Sequence, residues 1–372
     1  MTTPAASSRR RSASAQAAER GMALLVVLLL AAVLIPFVSE FVFQTDVESR
    51  TALNVKEQLA IDNAIEGQYQ IVVARLEYDA IGNEYDSYTD PWNADELLDR
   101  EEPGIQVRLR TRVLDEQGKL PLRKLAEGST EEQAIWKVRL IELLKRFRRD
   151  TRFDASGVAE ELADEMVRFF RGENRGQVPK PSTINGSPVL TLDDLHFASE
   201  QFARLKLLQD VREEGDIGHG LWRYVTIQGT GRVNLNTAEK VVLESIFSKD
   251  PTIAERIIER REGAAEDAEV DPDTGENPGN PFTDVNQLNE IEGINQQVLR
   301  ANNVVLARDF DVKSNIFSMR ISGTTENTRR EELFIVERVP GTDPNGPVEG
   351  VRHLLCQERT DRIEEAIDET EE

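Results

Sequence analysis

An uncharged apolar stretch near the N-terminus, Met22–Val38, most constrains what this 372-residue chain can fold into. Its 17 residues reach the lower limit for a helix that crosses the hydrocarbon core of a bilayer. The basic residues Arg9–Arg11 and Arg20 precede the stretch, and Glu40 and other acids follow it. Because positively charged flanks remain in the cytoplasm, we predict one membrane helix at 22–44, with the bulk of the chain outside the cytoplasm.

The residues at the start of this stretch resemble a processing site. A signal peptidase needs a small-residue site after the apolar run, and Pro36-Phe-Val-Ser-Glu40 contains none. In contrast, Glu19-Arg-Gly-Met22 resembles the leader of a type IV prepilin, which is cut before the membrane segment, here between Gly21 and Met22. Pilins usually have glutamate at the fifth mature position, where this chain has Val26. An uncleaved membrane anchor is the alternative.

The membrane segment continues into a second helical segment. Between Met22 and Asp79 only Pro36 and Gly67 disfavour a helix, and apolar residues recur at steps of three and four. Such a helix of about 58 residues would be about 87 Å long. Since its first part lies in the membrane, its second part needs a partner surface along one side.

Strand-like alternation flanks a block of helical periodicity. Residues 104–114 alternate apolar and polar side chains, and we predict that a turn at 115–118 returns the chain as a hairpin. Residues 315–322 and 330–339 alternate in the same way. We therefore predict an α+β fold: a type IV pilin-like long N-terminal helix and a small antiparallel sheet, with a large all-α domain inserted between strands.

This layout divides the chain into six predicted segments. They are a prepilin-type leader (1–21), a transmembrane helix (22–44), a spine helix with the first strands (45–122), an inserted helical domain (123–310), closing strands (311–340) and an acidic C-terminal tail (341–372). Residues 357–372 contain eight acids and two arginines, which favours a solvated tail over a helix through Leu354 and Ile367.

Three short segments within this layout resemble one protein family. They are Leu114-Asp-Glu-Gln-Gly-Lys-Leu120, Val233-Asn-Leu-Asn-Thr-Ala238 and Pro281-Phe-Thr-Asp-Val-Asn-Gln-Leu288. Together with the leader, Val26 and the helical insertion, they make residues 20–340 similar to the general secretion pathway protein K family. Members of that family are the largest minor pseudopilins of the type II secretion system.

The resemblance implies a non-enzymatic role in protein export across the outer membrane. Prepilin peptidase would remove residues 1–21 and methylate Met22, the helix would anchor the chain in the inner membrane, and the head would lie in the periplasm. The partners would be other minor pseudopilins in a tip complex, and the major pseudopilin. The alternatives are a minor pilin of a related type IV pilus or adhesion system, and a membrane-anchored periplasmic enzyme.

Val26 fits a position at the pseudopilus tip, where the chain would cap the filament and help to start its assembly. A buried glutamate at this position can pair with the N-terminal amine of a neighbouring subunit, and burying an unpaired charge in lipid is costly. A subunit with no neighbour above it has no amine to pair, so valine suits it. Valine is also an ordinary residue of a membrane helix, so this interpretation depends on the other features.

An acidic loop supplies the candidate metal ligands. Asp271-Pro-Asp-Thr-Gly-Glu276 places oxygen ligands at alternate positions, with a glycine to turn the chain, as calcium requires. The loop is not an EF-hand, because the twelfth position from Asp271 is Phe282 instead of glutamate. Family members bind calcium in the helical domain, so the resemblance favours Ca²⁺ here; a solvated acidic loop is the alternative. The candidate ligands are Asp271, Asp273, Glu276 and Asp284.

Composition and motifs argue against several other functions. The formal net charge of −23 disfavours nucleic-acid binding, which depends on clustered Lys and Arg. The single cysteine, Cys356, excludes an internal disulfide, and we expect it to be partly buried. No Gly-x-Ser-x-Gly, His-Glu-x-x-His or P-loop pattern occurs, so we predict no enzymatic activity. Ile291-Glu-Gly-Ile-Asn-Gln296 resembles a helix-hairpin-helix, but acidic neighbours favour a helix pair packed within the domain.

Overall fold

Helix α1 (Ser8–Asp79) runs without a break through the membrane segment and the spine. Its 72 residues make it about 108 Å long. Pro36 lies inside the helix, in the membrane segment, where proline is tolerated. The computed structural model describes residues 8–81, 83–94, 99–102, 106–147, 157–172, 183–184, 187–188, 191–213, 216–263, 279–339 and 350–358.

Five antiparallel strands form the main sheet and follow one another across it in chain order. They are β1 (Asp99–Glu102), β2 (Val107–Asp115), β3 (Ile316–Thr324), β4 (Arg329–Val339) and β5 (Gly350–Glu358). Strand β2 pairs with β3 although about 200 residues separate them in the sequence. The predicted insertion between sheet strands is therefore present.

Apolar side chains at alternate sheet positions pack against the second half of α1. The most deeply buried α1 residues of this core lie at helical spacing and are at most 1% exposed; they are Ile61, Ile65, Val72 and Leu76. The strand residues of the same core are Val107, Leu109, Val113, Phe317, Met319, Ile321, Phe334 and Val336. Gly323 marks the closest approach, since a Cβ atom there would lie 2.7 Å from Cγ2 of Ile61. The sheet is thus the partner surface that the spine requires.

The insertion between β2 and β3 is mostly helical. Its helices are α2 (Thr130–Arg146), α3 (Val158–Phe170), α4 (Gln201–Arg204), α5 (Lys240–Ile246), α6 (Thr252–Glu262), α7 (Gln296–Ala301) and α8 (Leu306–Asp309). Its 3-10 helices are Glu116–Gly118, Leu122–Leu125, Leu192–Phe197, Leu221–Arg223 and Val285–Glu290, and another, Pro91–Asn93, follows α1.

Short strand pairs and a second hydrophobic core complete the inserted domain. The parallel pairs are Leu120–Pro121 with Val225–Thr226 and Phe310–Asp311 with Val233–Asn234; the antiparallel pairs are Thr183–Ile184 with Ser187–Pro188 and Val211–Glu213 with Asp216–Gly218. The largest fully buried side chains of this core are Phe147, Phe202, Phe247, Phe282 and Phe310. The inserted domain and the unit formed by α1 and the main sheet therefore each have a hydrophobic core.

The segment around Gly293 packs within the inserted domain, as predicted for the hairpin-like motif. Leu288, Ile294 and Leu299 are buried in the domain core. Gly293 has a φ of +85°, a backbone conformation that favours glycine, and the Nη1 atom of Arg256 donates to the neighbouring carbonyl of Glu292 at 2.8 Å.

The hairpin predicted after residue 114 is wrong. Strand β2 ends at Asp115, whose carboxylate accepts from the backbone N–H of Gln117 at 2.7 Å and so stabilises a tight 3-10 turn. The chain then enters the inserted domain, where Leu120 and Leu122 are 1% exposed in its core. Because these leucines are buried in the inserted domain, the chain continues into that domain and does not fold back along β2.

The acidic tail predicted for 341–372 is wrong for residues 350–358, which form β5 at the edge of the sheet. His353 accepts at Nδ1 from the hydroxyl of Tyr69 on α1, or donates to it, at 3.2 Å. The pairing with β4 shifts between Ile335 and Val336, opposite Leu354, so a bulge interrupts the alternation that a strand normally shows. Cys356 is exposed instead of partly buried.

Candidate functional site

The membrane segment of α1 presents apolar side chains that no described part of the chain covers. Met22 is 64% exposed and Val26 is 52% exposed, and the other large apolar residues of the segment have similar values. Among the described residues, this is the one helix long and apolar enough to cross a membrane. Gly21, Met22 and Val26 lie on one continuous helix. Removal of the leader stays a prediction.

A buried polar junction joins the sheet to the inserted domain. Its centre is Asp115, whose Oδ2 atom accepts from three side chains that are distant in sequence: Asn234 Nδ2 at 3.0 Å, Thr237 Oγ1 at 2.6 Å and Ser314 Oγ at 2.5 Å. Burial raises the pKa of Asp115 from 3.8 to about 6. Two of the family-like segments, 114–120 and 233–238, therefore meet at this carboxylate.

The residues that follow Asp115 extend the junction toward β3. Glu116 accepts from Ser318 Oγ at 2.6 Å and Thr226 Oγ1 at 2.5 Å, and it forms an ion pair with Lys119. Both members of the ion pair are about 5% exposed, and burial lowers the pKa of Lys119. An interior ion pair with this many hydrogen bonds fixes the geometry of the turn.

Gln117 and Gly118 complete the turn. The side-chain oxygen of Gln117 accepts from the backbone N–H of Asn315 at 2.8 Å, which ties the turn to the start of β3. A Cβ atom at Gly118 would lie 2.7 Å from Oγ1 of Thr237 and 2.9 Å from its carbonyl oxygen. The turn and the 233–238 segment thus approach too closely for any side chain larger than hydrogen.

A second buried group, Asp79, Asp86 and Asp90, lies where the end of α1 meets the sheet; we call it the aspartate cluster. Arg338 on β4 donates to Asp79 Oδ2 at 3.1 Å, to Asp86 and to the carbonyl of Ser314. Burial, followed by repulsion from the neighbouring carboxylates, raises the pKa of Asp79 to about 7. Burial likewise raises the pKa of Asp90 to about 6. Asp79 and Asp90 therefore bind a proton more readily than an exposed aspartate does.

The aspartate cluster has the composition of a cation site but the hydrogen bonding of a structural one. One oxygen from each carboxylate lies within 4.8 Å of the others. Every carboxylate oxygen already accepts a hydrogen bond, and the donors other than Arg338 are Asn83, the N–H and hydroxyl of Ser87, and the N–H of Ser314. These hydrogen bonds hold the C-terminal end of α1 against the main sheet.

The predicted calcium ligands are only partly described. Asp271, Asp273 and Glu276 lie outside the described residues. Asp284 caps the 3-10 helix Val285–Glu290, because its Oδ1 atom accepts from the backbone N–H of Asn286 at 2.7 Å. Calcium binding therefore stays a prediction.

Comparison with known proteins bears on the fold. No family model matches the sequence, and no curated protein matches it. The structure is similar to a chain in the crystal structure of the GspK-GspI-GspJ complex from the type 2 secretion system of enterotoxigenic Escherichia coli. The TM-score is 0.55, the sequence identity is 16%, and the similarity covers 83% of this chain and 99% of that chain. The chain has a type IV pilin-like fold.

Proposed function

We propose that this chain is a minor pseudopilin of a type II secretion system. It caps the tip of the pseudopilus and helps to start its assembly, and the machine exports proteins across the outer membrane. The observation that carries the proposal is the fold shared over 83% of the chain with a component of the GspK-GspI-GspJ complex. The role is one of assembly, without enzymatic activity.

The membrane helix supports a location in the inner membrane. Its apolar side chains are uncovered, and arginines precede it, so the N-terminus is cytoplasmic and the head is periplasmic. Prepilin peptidase cuts between Gly21 and Met22 and methylates the new amine. The membrane segment then anchors the subunit until assembly.

Two features support a terminal position in the filament. Val26 provides no carboxylate to pair with the amine of a subunit above it. The insertion of about 200 residues between β2 and β3 gives the head a bulk that hinders stacking of another subunit. The partners are the other minor pseudopilins of the tip complex and, below them, the major pseudopilin.

We also propose that the acidic loop binds Ca²⁺. Asp271, Asp273 and Glu276 supply carboxylates close together in sequence, and Asp284 follows the loop. The donor set suits calcium, which prefers several oxygen ligands. Bound calcium would hold the loop between α6 and the 3-10 helix Val285–Glu290.

Co-expression with prepilin peptidase tests the processing step. We expect the chain to lose the mass of residues 1–21, Gly21→Val to block this loss, and the matched change Gly67→Val in the same helix to leave it intact. A wild-type chain that keeps its leader favours the membrane-anchored enzyme.

Co-purification tests the partners. The full chain in detergent should bind the minor pseudopilins of a type II secretion system and not the minor pilins of a type IV pilus. The opposite preference supports the related-pilus alternative, and binding to neither contradicts the proposal.

A further inference from the structure

The aspartate cluster and the buried junction at Asp115 form one continuous hydrogen-bonded network. Ser314 contacts both groups, because its backbone N–H donates to Asp86 Oδ2 at 2.7 Å and its hydroxyl donates to Asp115 Oδ2 at 2.5 Å. Asn234 also contacts both, since its Nδ2 atom lies 3.1 Å from the carbonyl oxygen of Asp86 and 3.0 Å from Asp115 Oδ2. Ser314 and Asn234 are fully buried. We call the aspartate cluster, Arg338, Ser314, Asn234 and Asp115 the acidic joint.

The acidic joint connects parts of the chain that lie far apart in the sequence. Asp79 is the last residue of α1, and Arg338 is on β4. Ser314 lies just before β3, whereas Asn234 belongs to a strand pair of the inserted domain. A change within this network therefore acts on the contact between the spine and the inserted domain.

The acidic joint also brings like charges together. One oxygen from each of Asp79, Asp86 and Asp90 lies within 4.8 Å of the others, and the charge of Asp86 opposes ionisation of Asp115. Arg338 donates to Asp79 and Asp86. Full ionisation therefore makes these carboxylates repel one another next to the contact with the inserted domain, and a proton bound to any of them removes part of the repulsion.

Burial moves the titration of this network toward neutral pH. It raises the pKa of Asp115 to about 6, just as it raises the pKa of Asp90 to about 6 and that of Asp79 to about 7. An exposed aspartate has a pKa of about 4 and is ionised throughout this range. The acidic joint therefore changes its charge between about pH 5 and pH 8, where an exposed aspartate does not.

Other titratable groups face these carboxylates from the neighbouring elements. Tyr85 and Tyr88, in the loop after α1, face the aspartate cluster and Asp115, respectively. Burial raises the pKa of both tyrosines, so they stay neutral in this pH range. Lys119 faces Asp115 from the turn after β2, where it is held in the buried ion pair with Glu116.

The inserted domain contributes charged groups behind Tyr88. They are Arg223, Glu239 and Arg261. One ring nitrogen of His219 lies 2.7 Å from Nη1 of Arg223. Because histidine is the side chain that ordinarily changes its charge between pH 5 and pH 8, an experiment has to separate His219 from the aspartates.

We propose that the acidic joint is a proton-controlled coupling between the spine and the inserted domain. With protons bound, the carboxyl groups donate to one another, and the inserted domain is held in one position. Release of these protons to solvent restores the repulsion, which loosens the contacts of Asn234 and lets the inserted domain shift on the spine. The shape of the head then responds to the surrounding pH, and this response does not depend on the function proposed above.

Two spin labels on the folded chain test the coupling. Leu59 on α1 is 60% exposed and Val138 on α2 is 54% exposed, so Leu59→Cys and Val138→Cys can carry the labels, with Cys356→Ser to remove the native thiol. Pulsed EPR measures the distance between the labels in the full chain, in non-ionic detergent with EDTA. We expect one narrow distance distribution at pH 5 and a broader one at pH 8, with the change centred between about pH 6 and pH 7.

Neutral variants identify the responsible groups. Asp79→Asn removes the carboxylate that titrates at the highest pH of the three, so we expect it to remove most of the broadening at pH 8. Asp90→Asn should reduce the broadening as well, and it decides the result if Asp79→Asn does not fold. The matched control Asp164→Asn changes an aspartate on α3 whose side chain is 57% exposed, and it should respond as the wild type does. His219→Gln should also keep the wild-type response.

Four results would overturn the inference. They are an identical distance distribution at pH 5 and pH 8 in the wild type, a response of wild-type size in both Asp79→Asn and Asp90→Asn, a response that His219→Gln abolishes, and unfolding of the chain at pH 8 as followed by tryptophan fluorescence. None of them bears on the proposed function, which is tested by leader removal and by partner binding.

Discussion

Gly118 offers the sharpest test of the junction between the sheet and the inserted domain. In Gly118→Ala, the added methyl group would lie 2.7 Å from Oγ1 of Thr237 and 2.9 Å from its carbonyl oxygen. Thr237 cannot easily move away, because its hydroxyl donates to Asp115 at 2.6 Å. Overpacking of this kind costs about 1–3 kcal/mol, and the smaller entropy of the unfolded alanine chain offsets part of it. We expect a net loss of about 1–2 kcal/mol.

The matched control is the same substitution on the exposed side of α1. Gly67 has nothing within 4 Å of the position of a Cβ atom. Gly67→Ala therefore adds only helix propensity, and we expect it to stabilise the chain by about 0.5–1 kcal/mol. The two variants add the same methyl group and should move stability in opposite directions.

Urea unfolding of the full chain in detergent, followed by tryptophan fluorescence, measures both effects. The three tryptophans, Trp92, Trp136 and Trp222, all lie in the head, so the membrane helix does not contribute to the signal. A Gly118→Ala chain as stable as the wild type would refute the reasoning, because it would mean that the two segments can separate at no cost.

Three further outcomes are expected. Because the pKa values of Asp79 and Asp90 are raised from 3.8 to about 7 and about 6, the folded state holds protons that the unfolded chain releases; the contribution of these two groups to stability is full below about pH 4 and is lost as the pH rises to 7, and Asp90→Asn should reduce the loss of stability between pH 5 and pH 7 in melting curves. Val26→Glu should leave membrane insertion intact but disturb tip assembly; unchanged secretion and unchanged partner pull-down would contradict this. Ca²⁺ should raise the melting temperature, and replacement of Asp271 and Asp273 by Asn should abolish the rise; an unchanged response would exclude these ligands.

Much of the fold could be predicted because apolar residues recur at regular intervals in its long helix and in most strands of its sheet. The long helix and strands β2, β3 and β4 follow from apolar spacing, and the shared pilin-like fold agrees with the prediction. Strand β1 could not be predicted, because Asp99–Glu102 contains only charged residues and is held by its register with β2. Strand β5 was hidden by its bulge at Leu354 and by the acidic residues that follow it.

The polar sites were predictable only where residues cluster in sequence. The segments 114–120 and 233–238 attract attention as motifs, and the structure shows that Asp115 joins them. The residues of the aspartate cluster and Arg338 form no comparable motif in the sequence. Asp79 and Arg338 are more than 250 residues apart, and neither differs locally from the many other charged residues of an acidic chain.

The late position of β3, β4 and β5 in the sequence sets the order in which the head can mature during synthesis. The apolar side of α1 emerges first, yet the strands that cover most of it come after the whole insertion. The entropic cost of closing a loop rises by only about 0.6 kcal/mol for each doubling of its length, so a loop of about 200 residues reduces the stability of the head little. Its main effect is that β3 and β4 become available late in synthesis. Until translation passes residue 339, the nascent spine lacks the complete pair of strands, β3 and β4, that covers Ile61, Ile65 and Val72 in the folded chain.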